Sequence, residues 1–217
     1  MLKETIAKLN FFKDLSSVEL ERLSNISYIK RYRSNYLLYY ENSKQSRVLF
    51  LIDGLAKAYK IDKYQNEIFL YYVYSGEMLS EISTLMGEST LPYSNIELVE
   101  ESSILSIDYT QFKREFLDTK LLCLEVAKET IRQSKQLQDL VNREFIFDSV
   151  SKVAIMLVTN LKMFNRLKRY DVSLMLHIQP STLSRVLNRL KRNGLIDIVK
   201  GEVTILNMEE LKGIYNE

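Results

Sequence analysis

RYDVSLMLHIQPSTLSRVLNRLKRNGLI, residues 169–196, reads as a helix, a tight turn and a second helix with an exposed polar and basic face. Such a layout sets one helix into the major groove of DNA. Pro180 suits the first position of the second helix, where a backbone N–H has no intrahelical partner to lose. Leu183, Val186, Leu187 and Leu190 recur at helical spacing and turn inward. Ser181, Thr182, Ser184, Arg185, Asn188 and Arg189 are left facing out.

The charge distribution points the same way. The chain has 217 residues, room for two modest domains, and a net charge of +2. Between Ser151 and Lys200 stand ten Lys/Arg against two Asp/Glu, a local +8, which leaves the remainder at −6. A basic C-terminal module beside an acidic N-terminal one is the electrostatic footprint of nucleic-acid binding through one domain. A solvated basic face is the alternative. The single cysteine, Cys123, can neither close an internal disulfide nor hold an iron–sulfur cluster, and a cytoplasmic location fits. No basic segment followed by an apolar run marks the N-terminus, so no signal peptide is expected. No apolar run is long enough to span a bilayer, so no membrane partner is expected. One histidine, one cysteine and no glycine-rich phosphate loop leave few catalytic constellations, and an enzyme is not expected.

Residues 1–25 carry two apolar stripes, Leu2, Ile6, Leu9 and Phe12, then Val18, Leu20 and Leu23, which predict two short helices. Between 26 and 110, short runs rich in Tyr, Ile, Val, Leu and Phe (27–32, 36–40, 48–52, 56–61, 67–73, 95–98 and 103–107) alternate with turn-like clusters such as 41–46 and 62–66. This spacing predicts an antiparallel sandwich or barrel. From Tyr109 to about Phe147 the pattern predicts one long helix without Gly or Pro. Leu124, Ala127, Ile131, Ser134, Val141 and Phe145 give it an imperfect heptad seam, interrupted by Gln138. The seam reads as a dimer interface, with packing against the chain's own β-domain as the alternative. Phe147–Ser149 reads as a hinge, and an amphipathic helix follows from Val150 to about Phe164. Ile196–Val199 and Val203–Leu206 predict a hairpin turning at Gly201, the wing of a winged helix-turn-helix.

This order resembles the Crp/Fnr family of bacterial transcription regulators, which are homodimers. Phe50-Leu-Ile-Asp-Gly54 followed by Ala58-Tyr59 resembles the strand–glycine–strand corner of the family's sensor. Gly76-Glu-Met-Leu-Ser-Glu81 resembles its Gly-(Asp/Glu)-x-x-Gly-Glu segment. Asp148, Lys152, Val153, Ala154 and Leu157 resemble the start of its DNA-binding domain. Ser181-Thr-Leu-Ser-Arg-Val-Leu-Asn-Arg-Leu190, then Asn193-Gly-Leu-Ile196, resembles its recognition helix and exit. The resemblance implies an α+β chain in three parts. Residues 1–108 would be a β-roll of the cyclic-nucleotide-binding type with N-terminal helices. Residues 109–147 would be a dimerisation helix and hinge, and 148–217 a winged helix-turn-helix. It also implies double-stranded DNA, a second copy of the chain and RNA polymerase as partners.

The departures bear on the signal sensed. Cyclic-nucleotide-binding relatives hold the phosphate with an Arg some ten residues after the Glu that matches Glu81. Here that region is Leu91-Pro92-Tyr93-Ser94. No Lys or Arg stands from Tyr64 to Phe112, while eight acidic residues do. Phosphate recognition wants a cation or a cradle of N–H groups, so cyclic nucleotide is not expected and Glu81 reads as structural. The clustered cysteines of the oxygen-sensing branch are missing. The one histidine, His177, occupies the turn of the helix-turn-helix, where positive φ suits His better than most residues, so ligation is the weaker reading. No cofactor is expected. Haem on a tyrosine, a methionine or Cys123, making a haem or nitric-oxide sensor, is the runner-up. An effector-sensing module that does not bind DNA is a further alternative. Twelve of the fourteen tyrosines lie between Tyr28 and Tyr109. They motivate a small apolar or aromatic effector of unknown identity, with ordinary strand residues as the alternative.

Arg185 matches the Arg that relatives aim at a base edge, and its planar fork fits guanine O6 and N7. A phosphate contact is the alternative. Relatives place Glu where Ser181 stands, so the half-site should differ from the family's usual ones and be richer in A·T. Pro180 can touch a thymine methyl. Thr182, Ser184 and Arg189 are candidates for phosphate or base contacts, and Lys168, Arg169 and Lys200 for phosphate contacts.

Overall fold

The computed structural model describes residues 2–85, 87–145 and 147–216, and only the backbone of 143–145 and 216. The chain forms two compact units, Met1–Leu137 and Gln138–Glu217.

The first unit opens with α1 (Leu2–Ala7), a 3-10 turn at Asn10–Phe12 and α2 (Ser17–Asn25). Ser16 and Glu19 start α2 with a capping box, each side chain accepting from the other's backbone N–H. Seven strands follow: β1 (Ser27–Tyr32), β2 (Leu37–Tyr39), β3 (Arg47–Asp53), β4 (Leu55–Ile61), β5 (Glu67–Tyr74), β6 (Asn95–Leu98) and β7 (Ser102–Asp108). They make a sandwich of two antiparallel sheets, ordered β1-β7-β3 and β2-β6-β4-β5. The corner between β3 and β4 requires glycine. Gly54 has φ +114, and a Cβ there would stand 2.1 Å from Ser102 Oγ. β1 is the free margin of the smaller sheet, and its four central residues are exposed.

The N-terminal helices and the segment after β7 share one core with the smaller sheet. Ile6, Phe11, Phe12 and Leu23 meet Val48, Phe50, Leu105 and Ile107 in it, together with Phe112, Phe116 and Val126. Burying that many aromatic and branched side chains supplies the main driving force for this unit.

The expectation of one helix from Tyr109 to about Phe147 needs correction. The chain makes α3 (Tyr109–Phe112), one π turn at Lys113–Leu117, a break, and then α4 (Cys123–Phe145). Lys120 in the break has φ 66, a left-handed conformation reached without glycine. The break lets Leu122 and Val126 enter the core. One face of α4 packs on the roll. There Arg132 bridges Glu77 at 3.1 Å and Glu129, and Gln133 Nε2 donates to the Ser80 carbonyl at 3.3 Å. Burial raises the Glu77 carboxyl above its ordinary range, and the Arg132 charge opposes that.

The second unit contains α5 (Ser149–Arg166), α6 (Arg169–Met175), α7 (Pro180–Arg192), β8 (Ile196–Val199), β9 (Glu202–Ile205) and α8 (Met208–Asn216). Asp148 caps α5, its carboxylate accepting from Val150 and Ser151 N–H. Asn160 has non-helical angles and divides α5. Val153, Leu157, Phe164, Val172, Leu183, Leu187, Leu190 and Leu211 are among the buried side chains of this unit. β8 and β9 pair through a two-residue turn in which Lys200 and Gly201 both have positive φ. That is the hairpin turn that matches strand twist. α8 is an addition to the elements that the sequence pattern predicts. No helix among the described residues is long and apolar enough to cross a membrane.

Candidate nucleic-acid interface

α7 begins at Pro180 and buries Leu183, Val186, Leu187 and Leu190. The opposite stripe, at intervals of four, three and four residues, is Ser181, Arg185, Asn188 and Arg192, all exposed. Thr182 and Ser184 lie on its flanks. Arg185 Nη2 donates to Thr182 Oγ1 at 3.1 Å, which steadies the guanidinium on the outward face. Ser184 Oγ donates to the Pro180 carbonyl at 3.1 Å. Arg189 lies with Asp148, Asn193 and Glu210 around a crevice of about 310 Å³. Its charge helps hold the Asp148 carboxyl below the usual range, after the larger effect of the bonds from Ser151. Lys191 is engaged as well, with Asp197 at 2.9 Å and the Ile198 carbonyl at 3.2 Å.

Two side chains outside α7 latch the wing. Asn165 donates through Nδ2 to the Val203 carbonyl and accepts from the Val203 N–H, both at 2.9 Å, completing β9 as a neighbouring strand would. Arg169 stacks on Phe164, with its guanidinium carbon 4.4 Å from the ring centre, and donates to the Phe164 and Gly201 carbonyls. Two of the five Arg169 N–H donors are therefore engaged within the protein. Lys168, at the start of α6, and Lys200, at the wing tip, are both exposed. His177 sits in the turn between α6 and α7 with φ 52. Asn188 and Arg192 were absent from the contact residues expected from sequence, although the spacing from Ser181 and Arg185 carries them onto the same stripe.

In the roll, Glu81 is buried and its carboxylate is fully engaged. Oε1 accepts from Tyr71 OH at 2.6 Å and from Ser94 Oγ at 2.8 Å. Oε2 accepts from the backbone N–H groups of Tyr93 and of Ser94, the latter at 3.0 Å. Burial, reinforced by this carboxylate, holds the Tyr71 phenol protonated far above its ordinary range. Tyr39, wholly buried beside them, donates to the Leu79 carbonyl. The segment that holds a phosphate-binding Arg in cyclic-nucleotide-binding relatives is thus bonded to the Glu it would accompany.

Residues 29–119 match the model of the cyclic nucleotide-binding domain, and residues 156–214 match that of the Crp-like helix-turn-helix domain. No curated protein matches the chain. Among solved structures, FixK2 from Bradyrhizobium japonicum is similar at 16% identity with a TM-score of 0.73, over 87% of this chain and 97% of that one. A CooA mutant from Carboxydothermus hydrogenoformans gives 20% identity and 0.73 over 93% and 91%. A CRP-family transcriptional regulator from Thermus thermophilus gives 18% and 0.68 over 87% and 97%. At such identities these likenesses establish the fold alone. With both domain models matched in order on that fold, the chain belongs to the Crp/Fnr family of DNA-binding transcription regulators.

Proposed function

We propose that the protein is a homodimer that reads an inverted repeat through α7 and that its β-roll does not take a cyclic nucleotide. The carrying observation is the outward stripe of α7, where an exposed Arg185 is steadied by Thr182 among polar and basic neighbours. Such a guanidinium matches guanine O6 and N7 in the major groove. Pairing is supported by α4. Leu124, Ile131 and Val141 are 65%, 69% and 54% exposed in the single chain, and Ala127 and Ser134 on the same seam are exposed too. An apolar stripe at this spacing buries itself against a second helix. The Phe145 side chain, expected to extend the seam, lies outside the described residues. Two copies of α7 then meet two half-sites one helical turn apart. Exposed Lys168 and Lys200 suit phosphates, and RNA polymerase is the partner that a transcription regulator would engage.

The effector reading rests on Glu81. A ribose or phosphate would have to displace four donors already bonded within the chain; no cation stands from Tyr64 to Phe112, and Arg132, whose charge reaches Tyr71, is paired with Glu77 and Glu129. The test is in-vitro selection from a random duplex pool with the ligand-free full chain, run beside Arg185→Ala. An enriched inverted repeat that the variant fails to enrich is the expected result. Arg185→Ala should cost about 1–3 kcal/mol on the selected site. An unchanged preference in the variant refutes Arg185 as the reader. Dependence of enrichment on added cyclic nucleotide refutes the effector reading.

A further inference from the structure

We infer that Asn188 is a second base reader of α7, selecting an adenine close to the base met by Arg185. The inference rests on the regulator reading above. Asn188 stands one turn beyond Arg185 on the outward stripe and is exposed. Its amide makes no hydrogen bond among the described residues. Several polar neighbours are committed elsewhere. The Thr182 hydroxyl receives Arg185, the Ser184 hydroxyl is bonded to its own helix, and Lys191 is paired with Asp197. Ser181 makes no side-chain hydrogen bond among the described residues, but a hydroxyl that donates or accepts discriminates poorly. Arg192 closes the stripe in the last turn, where a cation suits the helix dipole without reading a base.

An Asn amide carries a donor and an acceptor side by side. In the major groove only adenine offers the matching pair, N7 accepting and the N6 amino group donating. Three residues of α-helix rise about 4.5 Å, and successive bases on a strand lie about 3.4 Å apart. Asn188 is thus near enough to Arg185 on one face to meet a base close to the one that Arg185 reads.

The experiment is the random-pool selection with wild type, Arg185→Ala and Asn188→Ala, followed by titration of the selected duplex carrying 7-deazaadenine, which lacks N7, at the adenine position. The expected wild-type motif has an adenine close to its guanine. Asn188→Ala keeps the guanine, loses the adenine preference and binds the wild-type site about 5- to 150-fold more weakly. The 7-deaza substitution weakens wild type and leaves Asn188→Ala unaffected, which a merely structural Asn188 would not produce. An adenine preference retained in Asn188→Ala, or equal weakening of both proteins by 7-deazaadenine, overturns the inference and leaves the regulator reading standing. A wild-type pool with no enriched motif overturns both.

Discussion

Glu81 accepts from two hydroxyls and two backbone N–H groups, so its removal leaves four donors, three of them buried, without an acceptor. Glu81→Ala should lower stability by about 3 kcal/mol, read by urea denaturation, because unpaired buried donors cost more than their bonds contribute. Glu81→Gln should cost much less, since its carbonyl oxygen can serve both N–H groups while the two hydroxyls rotate to accept from its amide. Equal losses from the two variants would refute this account. The structural role of Glu81 was readable from sequence only as a deficit, the lack of any Lys or Arg from Tyr64 to Phe112. Its partners Tyr71 and Ser94 lie ten and thirteen residues away and meet it only in the fold. His177 was more legible, because a position needing positive φ leaves a local mark in the choice of residue. Arg169 was not legible as a latch. Its acceptor is a carbonyl 32 residues onward, and no periodicity reports that.

At the scale of elements, alternation and turn residues placed all seven strands of the roll to within about a residue or two, the usual uncertainty of such ends. The break before α4 escaped because Lys120 takes a left-handed angle that carries no glycine as a signal. The final helix α8 is short and contains Gly213, which weakens a helical pattern. The start of α5 yields a quantitative test. Asp148→Ala should cost about 1 kcal/mol through loss of the cap. Bonds from Ser151 lower the Asp148 pKa in the folded chain, so its contribution is present above the ordinary aspartate range. That contribution drains away as pH falls through the lowered value. The difference in stability between wild type and Asp148→Ala should therefore be constant near neutrality and shrink in acid. A difference that grows in acid would contradict the sign.

For the whole molecule, the exposed seam of α4 makes oligomeric state the decisive observable. Ile131→Lys should yield a folded monomer by sedimentation equilibrium, since Ile131 is not part of the core of its own chain. The same variant should bind a single half-site in place of the full repeat. A dimer that survives this substitution would remove α4 as the interface. The outermost strand of the smaller sheet imposes a different demand. Among the described residues β1 pairs with β7 alone, and the outer row of its backbone N–H and C=O groups is a template for another strand. Lys30 and Arg31 stand at its centre, both exposed, with Arg31 paired to Glu101 at 2.6 Å. A second strand laid along that margin would have to desolvate Lys30 and bury the ion pair of Arg31 with Glu101, so the margin is guarded against stacking into fibrils. Replacing both with threonine should leave the fold intact and make concentrated solutions scatter light and bind amyloid dyes. The span SYIKRY thus governs how crowded the protein can become before it self-associates irreversibly, a limit on abundance that is independent of anything the protein recognises.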